Sequence, residues 1–163
     1  MTSPRASRTP AADLPVVPRW VPAATLVLAV AGVAVAGYLT VEHYTASTTL
    51  ACPDQGIVNC QKVTTSAQAA VFGIPVALLG LAFFAAMAVG GLPAAWRTTR
   101  PLIRYGRATL ALAGAAFVGY LVYAELFVLN AICLWCTAVH ILAIALFGVV
   151  AFGTALFNPP EKP

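Results

Sequence analysis

The sequence predicts an all-α integral membrane protein: a four-helix bundle with a cysteine-bearing outer loop. Three observations predict it. Of the 163 residues, 61% are hydrophobic and only 9% are charged, where a soluble domain carries roughly 45–50% and about 25%. The apolar residues fall into four long runs, each close to the roughly 20 residues that cross a bilayer as helix. The few basic residues sit at the ends of those runs. A water-soluble core of this size has to cover its surface with polar groups, and this composition cannot.

The first run extends from about Trp20 to Tyr44, with no charge between Arg19 and Glu42. The second covers about 71–92. The third covers about 102–129, with Arg104 and Arg107 at its start, where long basic side chains reach back to the interface. The fourth covers about 133–157, with no charge between Glu125 and Glu161. Spanning backbone must satisfy its own hydrogen bonds, so runs this long are helices. Pro18 and Pro22 mark the start of the first. Gly90, Gly91 and Pro93 interrupt the chain after the second, Pro101 opens the third, and Pro159 and Pro160 stop the fourth. Trp20, Tyr44, Trp96, Tyr105 and Trp135 fall near the predicted interfaces, where amphipathic rings are favoured. Residues 1–19 are expected to be a disordered tail, 20–158 one membrane domain, and 159–163 a second short tail.

The formal net charge of +4 does not signal nucleic acid, because of where it lies. Arg5, Arg8 and Arg19 precede the first run, and Arg97, Arg100, Arg104 and Arg107 cluster between the second and third. That is a topology signal. It predicts cytoplasmic N- and C-termini, a cytoplasmic 93–101 loop, and an outer loop over 45–70. A cleaved signal peptide is the rival reading of the first run, with Ala34-Val35-Ala36 as its site; the run is longer than the usual signal core of roughly 7–15 residues.

This topology, derived without reference to cysteine, places all four cysteines together. Cys52 and Cys60 lie in the outer loop, and Cys133-Leu134-Trp135-Cys136 begins the fourth run on the same side. Disulfides persist in an oxidising outer compartment. A C-x-x-C at a helix start favours thiolate, the nucleophile of exchange. Cys133 occupies the favoured N-terminal place, and Cys136 lies one turn deeper. The turn-rich Ala51-Cys52-Pro53-Asp54-Gln55-Gly56 presents Cys52 to a visiting protein. Two other readings of the same residues stand beside this one: two static cross-links, or a four-thiolate metal site in a metal-binding or metal-transport membrane protein.

From about Ala31 to His140 the sequence resembles the vitamin K epoxide reductase family in its bacterial form. The resemblance lies in Gly37-Tyr38-Leu39, Glu42-His43-Tyr44, Cys52, Asn59-Cys60-Gln61-Lys62-Val63-Thr64-Thr65-Ser66, Phe72-Gly73-Ile74-Pro75 and Cys133-Leu134-Trp135-Cys136. It implies a four-helix bundle around a quinone, of menaquinone or ubiquinone type, in a bacterial inner membrane. It also implies a relay of thiol–disulfide exchange. Cys52 exchanges with a thioredoxin-like protein, Cys60 passes electrons to Cys133, and Cys136 reacts with the quinone. Ser66 matches the family's loop serine near the site. Many bacterial relatives carry a fused thioredoxin-like domain; with the chain ending at Pro163, the partner is expected to be a separate protein. Animal members have tyrosine where this sequence has His140, and their asparagine near the second span has no equivalent in Ala69-Ala70-Val71-Phe72. A plain quinone is therefore the expected acceptor. In the other class of bacterial four-span disulfide-generating enzymes the C-x-x-C lies in the first outer loop, the reverse of the order here.

His140 lies four residues after Cys136 and seven after Cys133, so the three share a helix face, and an imidazole there suits a quinone oxygen. A histidine satisfied by a neighbouring carbonyl is the plainer reading. Ser66 either hydrogen-bonds in the loop or starts the helix that leads into the second run. Pro75 is read as an ordinary proline of a membrane helix rather than a functional kink. Glu42, His43 and Glu125 are read as markers of the outer interface. Gly32 with Ala36, and Ala115 with Gly119, suit close helix packing.

Overall fold

The computed structural model describes residues 17–45, 52, 55–98 and 100–157. The expectations for most of the N-terminal tail, for the C-terminal tail, and for 46–51 and 53–54 of the loop lie outside these residues.

Among the described residues, three helices are long and apolar enough to cross a membrane. Helix α1 spans Trp20–Thr45. Helix α5 spans Pro101–Tyr123 and continues as a π-helical segment, Ala124–Leu129. Helix α6 spans Leu134–Phe157. The second apolar run forms a shorter helix, α3, over Val76–Gly91. Its 16 residues reach about 24 Å at 1.5 Å per residue. Two short helices connect the others: α2, Cys60–Thr64, before α3, and α4, Pro93–Trp96, after it.

Helix α3 starts later than the apolar run because 70–75 folds as a hairpin. Strand β1, Ala70–Val71, pairs antiparallel with β2, Ile74–Pro75, in the register Ala70↔Pro75 and Val71↔Ile74. The two turn residues both take positive φ, Phe72 at 52° and Gly73 at 81°, as a two-residue hairpin turn requires. Pro75 then stands just before the first helical residue, where its missing N–H disturbs no helical bond. It kinks nothing.

Helix α1 packs against both α3 and α6, α6 packs against α5, and α3 and α5 meet lightly to close the ring. Small residues permit the tightest approach. A Cβ at Gly32 of α1 would fall inside the ring of Phe84 on α3, and a Cβ at Gly80 would lie 3.8 Å from the Ala36 methyl. Gly32 and Ala36 thus do the packing expected of them. Gly119 does not, since a Cβ there would meet nothing within 4 Å. Thr25 and Thr40, buried in α1, donate to the carbonyls of Val21 (2.8 Å) and Ala36 (2.7 Å) one turn back, so neither hydroxyl is left unsatisfied.

At the arginine-rich end, Arg107 turns inward instead of reaching for the interface. Its guanidinium lies 3.4 Å above the centre of the Trp96 ring and donates to the carbonyls of Gly90 (3.2 Å) and Ala95 (3.4 Å). It thereby serves carbonyls at the C-terminal ends of α3 and α4, where the last carbonyls lack helical partners. Trp96 is buried with it, inside the bundle rather than among headgroups.

Candidate functional site: a thiol cluster above an apolar cavity

At the opposite end the chain crosses itself twice. Gln55 and Val58 pair backbone to backbone, and Val58 forms a parallel bridge with Ile132. The Ile132 N–H donates to the Ile57 carbonyl (2.8 Å), and the Asn59 N–H donates to the Ile132 carbonyl (3.0 Å). Each anchored residue adjoins a cysteine. Asn59 accepts the Lys62 N–H at 2.7 Å through its side chain, capping α2, whose first residue is Cys60. Ile132 precedes Cys133, which leads into α6.

Cys60 and Cys133 are consequently buried in one cluster with Val63 and Ala131, and Cys52 and Cys136 pack against it. Cys52 and Cys60 form a disulfide with Cα atoms 6.1 Å apart. Cys133 and Cys136 are free thiols. The Cys136 N–H donates to the Cys133 sulfur at 3.3 Å. The Thr137 N–H and hydroxyl both donate to the Cys133 carbonyl, at 2.8 and 2.9 Å. Cys133 therefore acts as the N-cap of α6, with sulfur in place of the usual oxygen. The Cys136 thiol donating to it holds the Cys133 thiol below its ordinary pKa, against the opposing effects of burial and of the Glu125 charge. Trp135, between the two thiols, packs its ring 4.9 Å from that of Tyr38 at a tilt of 54° and ties the C-x-x-C segment to α1.

Below the thiols the ring of helices encloses an apolar cavity of about 280 Å³. Cys136 is in its wall, as are His140, Ser66 and Glu125. Ser66 donates its hydroxyl to the Val63 carbonyl at 2.7 Å and makes no side-chain cap to the 3₁₀ turn that follows, Ala67–Ala69. Its loop hydrogen bond, rather than a helix start, is thus what the hydroxyl makes. His140 lies one turn below Cys136 and is buried.

Glu125 and His43, read from the sequence as markers of the outer interface, both line the cavity. Glu125 is 6% exposed, within the π-helical segment. Its signal was present: four apolar residues, Leu126 to Leu129, follow it before the run ends. A carboxyl still inside an apolar run is more often functional than incidental.

Apolar helices of spanning length, a disulfide and a free C-x-x-C pair in one cluster together define a membrane thiol oxidoreductase. The chain belongs to the vitamin K epoxide reductase family, whose family profile matches residues 23–151. No curated protein matches it.

Proposed function

We propose that this protein oxidises a separate thioredoxin-like protein outside the membrane and reduces a lipid-soluble quinone, so sustaining disulfide formation. One observation carries the reading: Cys136 belongs both to the four-cysteine cluster and to the wall of the apolar cavity. A relay needs such a residue, because the exchange reactions and the acceptor must meet at one sulfur.

In this scheme α3 is the fourth crossing, the cysteines face outward and both termini lie in the cytoplasm of a bacterial cell. The arginines at 97–107 support that orientation. A thiolate of the partner attacks Cys52, and the Cys52–Cys60 bond breaks. Cys60 leaves as thiolate and attacks Cys133 of a Cys133–Cys136 disulfide, releasing Cys136 as thiolate. The partner's second thiol then resolves the mixed disulfide, and Cys60 closes again on Cys52 as Cys133 is released. The arrangement described above, loop pair oxidised and C-x-x-C reduced, corresponds to the stage at which Cys133 and Cys136 hold the electrons. The acceptor supplies a ring that takes two electrons and two protons. Cys133 and Cys136 give up two electrons and two protons as their disulfide re-forms, so atoms and charge balance.

The cavity fits such a ring: it is apolar, lies between helices, and has a few polar side chains in its wall, among them Cys136, Ser66, Glu125, His43 and His140. His140 and Ser66 are assigned to contact the acceptor's oxygens. The metal-site alternative loses two of its four ligands to the Cys52–Cys60 disulfide.

The test is anaerobic quinol formation by the purified protein, with a reduced thioredoxin-like donor and both naphthoquinone and benzoquinone acceptors. Wild type is expected to turn over, and Cys136→Ala to be inactive while still forming a mixed disulfide at Cys52. Turnover by Cys136→Ala would overturn the order of transfer. Absence of turnover by wild type with every acceptor would overturn the function.

A further inference from the structure

Glu125 occupies a place that the relay of thiols does not explain. The π-helical turn around it widens the backbone, and such turns inside α-helices recur at functional sites. Its own carbonyl accepts the N–H groups of Asn130 and Ala131, which closes the turn that leads to the C-x-x-C segment. The Cys133 backbone N–H donates to its carboxylate.

Its position between two spaces is the telling feature. Glu125 lines the apolar cavity with Cys136 and His140. It also lines a second hollow of about 100 Å³ at the cysteine end, with Ile57, Leu126, Asn130, Ala131 and Ile132. Ile57, Leu126 and Asn130 are exposed, so that hollow opens to the surface. Among the described residues, no other borders both. An ionisable side chain shared by an apolar cavity and a surface hollow is placed to move protons between them.

We infer that Glu125 is the proton carrier of the cavity, giving a proton to one acceptor oxygen and regaining one from the thiol pair. The inference rests on the function proposed above. Each turnover forms one S–S bond between Cys133 and Cys136, sheds two thiol protons and sends two electrons to the acceptor. One of those protons restores Glu125 after it has protonated the nearer oxygen. The other reaches the far oxygen by way of His140, which of the two histidines in the lining, His43 and His140, is the buried one. Both carriers end the cycle as they began, and the surface hollow exchanges any surplus with water.

The carboxyl also has a plain structural use, since its bond to the Cys133 N–H holds the start of α6. Glutamine separates the two uses. Its side-chain oxygen still accepts that N–H, and it cannot carry a proton. In full-length protein in lipid nanodiscs, Glu125→Gln is expected to lower kcat for reduction of a short-tailed benzoquinone by about 100-fold, the lower end of general acid–base effects, with little change in KM. Glu125→Asp is expected to recover part of it. Mixed-disulfide formation at Cys52 reports whether each variant is folded. Time-resolved infrared spectra of wild type during a single turnover are expected to contain a transient carboxyl band that Glu125→Gln lacks. Wild-type kcat in folded Glu125→Gln would overturn the inference alone. So would a wild-type time course without a transient carboxyl change, even if the variant failed to fold. Failure of wild type to make quinol would instead overturn the proposed function, and the inference with it.

Discussion

The Ile132 N–H donates to the Ile57 carbonyl at 2.8 Å, and this bond fastens the segment bearing the disulfide to the segment bearing the free thiols. The two cysteine pairs are separated by more than 70 residues in sequence, and the short bridge at Val58 and Ile132 brings them into one cluster. Ile132→Pro removes the donor and restricts the residue before it. Transfer between Cys60 and Cys133 is expected to slow by on the order of 100-fold, the usual effect of a misplacement of about 1 Å. Rapid-quench thiol labelling with mass spectrometry measures it, and Ile132→Val, which keeps the N–H, should transfer at the wild-type rate.

Cys136 holds down the pKa of Cys133, and the sign of the consequence is fixed. A depressed thiol is thiolate over a wider pH range, and thiolate is the reactive form. The pH profile of Cys133 alkylation by a small reagent is expected to move to higher pH in Cys136→Ala, because the thiol donor is gone. The same shift acts on stability. A lowered thiol pKa contributes stability that is complete above the unfolded value and is lost as pH falls through the folded one. Reduced wild type should therefore lose more stability than Cys136→Ala over that interval, as urea titrations at a series of pH values would reveal.

At the other end, Arg107→Lys keeps the charge and loses the flat stack on Trp96. It is expected to cost about 2 kcal/mol, the size of a desolvated cation–π contact. Arg107→Met removes the donors to Gly90 and Ala95 as well and should cost more. Thermal unfolding in detergent, followed by tryptophan fluorescence, distinguishes the three proteins.

Gly32 leaves no room for a side chain, because the Phe84 ring fills the position its Cβ would take. Gly32→Val must part α1 from α3 and is expected to destabilise the fold by about 2 kcal/mol, in the range of overpacked cores. Gly119→Val, whose side chain would meet nothing within 4 Å, is the control and should be near neutral apart from helix propensity. Denaturation midpoints of the two variants provide the comparison.

Much of this arrangement was legible in the residues. Long apolar runs identify membrane helices because lipid permits little else, and helix ends follow from Pro, Gly and charge. The placement of Cys52, Cys60, Cys133 and Cys136 at one end followed from counting crossings, a property that hydropathy preserves. Direction was not legible. Arg107 and Trp96 sit where interface residues belong, and only packing turns them inward onto each other. The hairpin at 70–75 was concealed because Val71, Phe72 and Ile74 are as apolar as the helix they precede, while the positive φ of Phe72 departs from its usual preference. Leu126 to Leu129 mark Glu125 as lying inside an apolar run, while the π-helical turn that sets it in the cavity wall has no hydropathy signature.

The light contact between α3 and α5 has a consequence for how far the cavity opens. There Phe83 lies against Gly114, with a Cβ at that glycine only 2.6 Å from the ring. Phe83 and Gly114 both line the cavity, so one aromatic side chain fills part of the wall between two helices. Rotation of that ring would widen the cavity toward the outer faces of α3 and α5, so the size of one side chain sets how far the space opens between two helices.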